Sequence, residues 1–235
     1  MIQISETWRS SHPGGAVGIL SMEIDAPLKD STELDQKRVL LENQLRQQYQ
    51  GISRAEIRKL PVMNGYTQYY KRFKKTYHLL LQLDSVCNKN KPIPQVDALV
   101  QAMFMAELNS FILTAGHDLD KIQGSIKLDS ANGMEVYYNL RGDAVTCKSG
   151  DMVMSDNQSV ICSVIYGQDQ RTRITRDTRN VLYVMYVPPE IEPRVIEEHI
   201  LDLEENIQLV APLSQTKLSQ IYFANSPNPS TIREN

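Results

Sequence analysis

Between residues 169 and 179 the chain reads Asp169-Gln170-Arg171-Thr172-Arg173-Ile174-Thr175-Arg176-Asp177-Thr178-Arg179, four arginines interleaved with three threonines. Arginine's planar guanidinium matches the geometry of a phosphate, so Arg171, Arg173 and Arg176 are candidate contacts to an RNA backbone. The hydroxyls of Thr172 and Thr175, with the backbone amides around Gly167, are donors that suit the developing oxyanion of an ester hydrolysis. The same residues also suit a plainer role: the arginines can pair with Asp169 and Asp177, and loop threonines commonly satisfy backbone groups. A second constellation is Gly116-His117-Asp118, read as a turn in which His117 is a general base and Asp118 orients it. The alternative there is a helix-ending turn with Gly116 as cap and Asp118 bonded to backbone. His12, His78 and His199 lack acidic or cysteine neighbours at ligand spacing, so no metal site and no cofactor are expected.

Those residues need a scaffold. Val160 to Tyr166 and Val181 to Val187 are apolar, β-prone runs that suit buried strands on either side of the arginine segment. Upstream, the N-terminal 25 residues read as strand, Pro13-Gly14-Gly15 turn, strand. Asp30 with Glu33 suggests a capping box that opens a helix ending at Gly51, and Ser53 with Glu56 suggests a second one, with Pro61 as stop. Residues 66–83 are predicted as one helix. Tyr66, Tyr69, Tyr70, Phe73 and Tyr77 would form its inner face, and Lys71, Arg72, Lys74 and Lys75 its outer face, where Lys74 and Lys75 are further RNA-contact candidates. After the Lys91-Pro92-Ile93-Pro94 turn, an apolar helix from about Val96 to Phe111 should be central and buried. Alternation then sets in around an Asn132-Gly133 hairpin turn. A last helix follows Pro188-Pro189, with His199 on its apolar face.

Helices cluster in the first half and strands in the second, which predicts an α+β fold: a single compact domain over residues 1–211, with mixed or antiparallel sheets packed against helices, and a partly ordered tail over 212–235. The 235 residues carry a formal net charge of -3, so any grip on nucleic acid must be local. Three widely spaced cysteines (Cys87, Cys147, Cys162) imply neither a disulfide framework nor a zinc site, and a cytoplasmic protein is expected. No apolar stretch has the length of a membrane span and no signal peptide is visible. The sequence is silent on oligomeric state.

The run Leu119-Asp120-Lys121-Ile122-x-Gly124-x-Ile126-x-Leu128-x-x-Ala131 resembles the tRNA-editing region (B3/B4) of the phenylalanyl-tRNA synthetase β subunit. Residues 156–162 continue the likeness, followed by Thr172-x-x-Thr175-x-x-Thr178-x-Asn180-Val181-Leu182. Tyr70-x-Arg72-Phe73 and the Lys-Pro-Ile-Pro turn resemble free-standing, single-domain relatives of that region, and the likeness spans roughly residues 65 to 200. It implies a pocket where strands and loops converge, tRNA or aminoacyl-tRNA as partner, and hydrolysis of a mischarged aminoacyl ester in trans through positioning rather than a covalent nucleophile. It also implies that no synthetase catalytic domain is present. His117, Asp118, Thr172 and Thr175 would then be the reacting groups, and Gly167, Gln168, Asp169, Thr178 and Asn180 would bind ligand. The resemblance departs at two polar positions: the family's editing histidine falls on Ala115, and the asparagine of the preceding helix falls on Phe104. A non-catalytic binding module, or a domain for a small amino-acid-like ligand without RNA, are the alternatives.

Overall fold

The computed structural model describes residues 2–25, 27–29 and 31–232. In chain order the elements are β1 (Ile2–Ile4), α1 (Glu6–Ser11), β2 (Ala16–Glu23), α2 (Thr32–Tyr49), α3 (Arg54–Ile57), α4 (Pro61–Arg72), α5 (His78–Cys87), α6 (Ala98–Ser110), β3 (Thr114–Asp118), β4 (Ile126–Ser130), β5 (Val136–Tyr138), β6 (Ala144–Thr146), β7 (Met152–Ser155), β8 (Val160–Ser163), β9 (Gly167–Gln168), β10 (Asn180–Val187), α7 (Pro193–Gln208), β11 (Gln215–Phe223) and β12 (Ser230–Thr231). The expected α+β architecture is what forms, with mixed and antiparallel sheets and helices packed on them.

One sheet runs β12-β11-β2-β10-β3 and is antiparallel throughout; a second runs β1-β4-β7-β8-β9, with β1 parallel to β4; β5 and β6 make a separate hairpin. Strand β10 explains its own composition. It lies between β2 and β3, so the run Val181 to Val187 is buried throughout and reads as continuous apolar sequence. Helix α6 is mostly apolar because most of it is enclosed: eight of its thirteen residues are buried and only Asn109 is exposed. Helix α7 crosses close over β2 at Gly18, where a methyl would stand 3.2 Å from both Ile196 and Ile200.

Several expected elements came out differently, each for a visible reason. The helix predicted over 66–83 is broken: α4 ends at Arg72, Lys74 takes φ +57°, and α5 begins at His78. Tyr66 and Tyr77 stack with ring centroids 4.3 Å apart, and the Tyr77 hydroxyl donates to the Phe111 carbonyl at 3.0 Å. Eleven residues of unbroken helix would hold those rings about 16 Å apart along the axis, so the stack requires the turn. Pro61 does not stop a helix. It occupies the first turn of α4, where its missing N–H costs nothing. The Ser53/Glu56 capping box forms as expected, on a one-turn helix, whereas Asp30 lies outside the described residues.

The Asn132-Gly133 turn does not join neighbouring strands. Both edges of β4 are already taken, by β1 and β7, so β5 pairs with β6 instead. The first predicted strand is only Ile2–Ile4 and is followed by α1 rather than running to the turn. The segment placed in a partly ordered tail contains β11, which pairs along the length of β2 from Gln215–Glu23 to Phe223–Ala16. His117-Asp118 is not a turn either. It is the end of β3, with His117 paired opposite Leu182.

Candidate functional site

The arginine segment leaves the second sheet at β9 and enters the first at β10. On the way it bridges β3, with Arg173 opposite His117 and the Asp118 amide donating to the Thr172 carbonyl at 2.7 Å. The side chains follow the backbone inward. Thr172 is fully buried, and its hydroxyl donates to Asp169 while its amide donates to the same carboxylate at 3.1 Å. Because that hydroxyl proton is committed to Asp169, the His117 Nδ1 at 2.7 Å must be the donor to Thr172 Oγ. His117 therefore carries its proton on Nδ1, and its Nε2 is buried without a partner. Burial, with the nearby Arg171 guanidinium second, pulls its pKa down to about 3. The imidazole is thus sealed inside the protein and does not border the cleft between α6 and the β8–β9 turn.

The remaining predicted residues are largely spent on the same construction. Asp118 accepts from the Thr178 hydroxyl at 2.9 Å, and that hydroxyl takes the Thr175 amide at 2.9 Å, so Asp118 and Thr175 hold the segment rather than face a ligand. Asn180 donates to Asp120 at 3.0 Å. Arg171 bonds Asp156 at 2.8 Å and the Lys121 carbonyl at 2.7 Å, which consumes it as a phosphate contact; its pairing is with Asp156 first and Asp169 only at 3.7 Å. Arg176 is exposed and meets Asp97 at 3.0 Å, whereas Arg173 is exposed on the bridge. Lys74 and Lys75 are exposed, in the turn between α4 and α5. The Gly167 carbonyl accepts from Tyr137 at 2.6 Å, and Gln168 donates to the Gly116 carbonyl at 2.5 Å.

Two of these residues, Gly167 and Gln168, also border a cleft of about 340 Å³ between α6 and the β8–β9 turn. Met103, Phe104, Leu113, Ala115 and Val164 make its walls apolar. Ala115 and Phe104 are the two positions at which the resemblance expects polar editing groups, and both face this one hollow. Lys75 stands at its mouth, with its ammonium 5.4 Å from the Tyr166 ring centre.

Three further polar residues of the cleft, Glu107, Ser163 and Thr114, are not among those singled out in the sequence. Glu107 is buried on α6 and lines the cleft; its carboxyl takes the Thr114 amide at 2.7 Å, its one side-chain hydrogen bond among the described residues. Burial pushes its pKa up to about 8, so it is a neutral carboxylic acid at pH 7. The signal for it was present: it is the one charged residue in a mostly apolar helix. Ser163 also borders the cleft, but its hydroxyl is held by Asp151 at 2.5 Å. The other oxygen of Asp151 takes the Tyr69 hydroxyl, also at 2.5 Å. Burial raises the Asp151 pKa to about 6 despite those donors. Thr114 shares the Nε2 of His199 at 2.8 Å, and Ser110 bonds that ring's Nδ1 at 2.7 Å, which accounts for a histidine on a core helix face. Among the described residues no group of three or more His, Cys, Asp or Glu is placed to hold a metal ion, and no helix is long and apolar enough to cross a membrane.

Residues 65–196 match the B3/4 domain family, and the cleft lies wholly inside that span. A phenylalanine–tRNA ligase β subunit from Mycoplasma pneumoniae is 34% identical over 67 residues, a match covering 28% of this chain and 8% of that subunit. Among solved structures, an N-terminal fragment of the phenylalanyl-tRNA synthetase β subunit from Pyrococcus horikoshii superposes with a TM-score of 0.46 at 11% identity, covering 94% of this chain and 55% of the fragment. The chain thus spans a small part of the one relative and about half of the other. It belongs to the B3/4 domain family.

Proposed function

Taking the chain as a B3/4 domain, we propose that it receives the aminoacyl end of an aminoacyl-tRNA in the cleft beside α6 and hydrolyses the ester in trans. The observation that carries this reading is the coincidence of place. The two positions that hold polar groups in the synthetase editing region, here Ala115 and Phe104, line the same hollow, which is of a size for one amino-acid side chain. In the reaction, water adds to the ester carbonyl carbon and the bond to the ribose oxygen breaks. One proton leaves with that oxygen, and the released carboxyl gives up another to solvent.

Glu107 is the group this chain offers in place of the missing imidazole. Uncharged at neutral pH, it donates a hydrogen bond from within an apolar wall, the kind of buried partner that discriminates a substrate hydroxyl. Gln168 is fixed at the mouth by its amide nitrogen, which donates to the Gly116 carbonyl at 2.5 Å and to the Thr172 carbonyl at 3.3 Å, so what it can offer the substrate is its side-chain oxygen, an acceptor. Ser163 is tied to Asp151 and is no nucleophile in this arrangement.

The test is a deacylation panel of Tyr-tRNA and other mischarged aminoacyl-tRNAs. Release of amino acid from at least one, reduced about tenfold or more in kcat by Glu107→Gln, is the expected result. A second reading, a binding module without hydrolysis, is favoured by the alanine at position 115 and the sealed imidazole of His117. It would be selected by a tRNA band shift with no release from any member of the panel. Neither release nor a shift would reject both.

A further inference from the structure

A second cleft lies behind the turn that breaks the predicted helix. It measures about 320 Å³ and is bordered by Arg58, Lys71 and Lys75, with Thr67 and Thr76 between them. The three cations have no carboxylate partner among the described residues, in contrast to Arg171, Arg54 or Arg38, each of which is paired. The Thr67 hydroxyl is buried without a hydrogen-bond partner. From Arg54 to Lys75 the sequence holds seven basic residues against one acidic residue, in a chain whose net charge is -3. Positive charge is therefore concentrated here and opposed elsewhere, which directs an anion to this face. Lys75 and Thr76 border both this cleft and the aminoacyl cleft, so the two hollows are separated by a single ledge of backbone.

We propose that the Arg58–Lys71–Lys75 cleft is a phosphate subsite, which takes a backbone phosphodiester of the RNA end whose aminoacyl group lies across the Lys75–Thr76 ledge. The proposal rests on the aminoacyl-tRNA reading of the first cleft. A guanidinium and two ammonium groups around one hollow suit a phosphodiester, and a carboxylate-free surround leaves their donors available. Contacts of this kind position the strand without reading its sequence, so the subsite would serve any tRNA and leave selection to the amino-acid cleft. The two clefts then divide the work, one holding the shared part of the substrate and the other the variable part.

The test uses the full chain and its Arg58→Gln/Lys71→Gln variant, both side chains being exposed and outside the aminoacyl cleft. Binding of uncharged tRNA and of a labelled RNA trinucleotide is followed by anisotropy across a salt series. An Arg194→Gln/Lys217→Gln variant, on α7 and β11, controls for the loss of two charges. The expected result is binding weakened about tenfold in the first variant only, with the salt slope reduced by about 1.4, the amount for two lost single-strand phosphate contacts. In deacylation the KM should rise with kcat unchanged. Equal binding by the wild type and the Arg58→Gln/Lys71→Gln variant, equal losses in both variants, or pyrophosphate bound through Arg58 and Lys71 that RNA does not displace, would each overturn the proposal. RNA binding lost in the variant with no deacylation by the wild type would sink the hydrolytic reading and leave the phosphate subsite standing. Deacylation untouched by the variant would do the reverse.

Discussion

The crossing at residues 169–179 and the turn at 73–77 are both short, basic and rich in hydroxyls, yet the fold uses them in opposite ways. In the crossing nearly every donor has found an acceptor inside the protein: Thr172 with Asp169 and His117, Thr178 with Asp118, Arg171 with Asp156. In the turn, Lys75 has only the Tyr166 ring, and Arg58 and Lys71 next to it are unpaired among the described residues. The crossing ties two sheets together, and the turn separates two hollows. A dense polar segment between two buried strands has to satisfy itself, because it passes through low-dielectric surroundings where an unmade hydrogen bond is expensive. Groups left unsatisfied beside open space are the better sign of a ligand.

Titration should separate the crossing from the cleft beside α6 most strongly. Glu107 has its folded pKa raised to about 8, so its contribution to stability is complete below its unfolded value near 4.5 and is lost as pH rises through 8. His117 has its folded pKa lowered to about 3, so its contribution is complete above its unfolded value near 6.5 and is lost as pH falls towards 3. Each limb has a limiting slope of about 1.4 kcal/mol per pH unit for one proton. Urea unfolding across pH should show Glu107→Gln flattening the alkaline limb above pH 6, where Asp151 has already titrated, and leaving the acid limb in place. A variant that changes neither limb would remove Glu107 from the buried wall of the cleft.

Cutting the crossing itself comes next in size. Thr172→Val keeps the shape but strands the Nδ1 proton of His117 and deprives Asp169 of a donor, a loss of about 2–3 kcal/mol. Equilibrium unfolding within 0.5 kcal/mol of the parent would mean that the hydroxyl is no tie. Gly116→Ala probes the wall between the crossing and the cleft beside α6. Its methyl would stand 2.7 Å from Ile174 of the crossing and 3.2 Å from Met103 of the cleft. Overpacking of this kind costs about 1–3 kcal/mol. An unchanged melting temperature would show that Ile174 and Met103 can both withdraw.

The smallest effect is the most pointed. Arg171→Gln should lower stability by about 1 kcal/mol, because it releases Asp156 and the Lys121 carbonyl. Arg173→Gln, on an exposed residue two places away, should stay within about 0.5 kcal/mol. Equal losses would return Arg171 to the surface as a candidate RNA contact.

The amino-acid sequence determined the class of fold, the helix around Met103 and Leu108, the strands on either side of the crossing, and the family, since each depends on local pattern or on the spacing of short motifs. It also held the capping box at Ser53 and the aromatic face of Tyr66, Tyr69 and Tyr70. Only the tertiary structure decided which polar groups are free. The Tyr66–Tyr77 stack broke a helix that looked continuous and so created the Lys75–Thr76 ledge. The occupied edges of β4 redirected β5 to β6. Pairing with β10 turned His117-Asp118 from a bend into a buried strand end. Those outcomes depend on partners distant in the chain, and local sequence carries no record of whether a donor's acceptor will come from the protein or from a ligand.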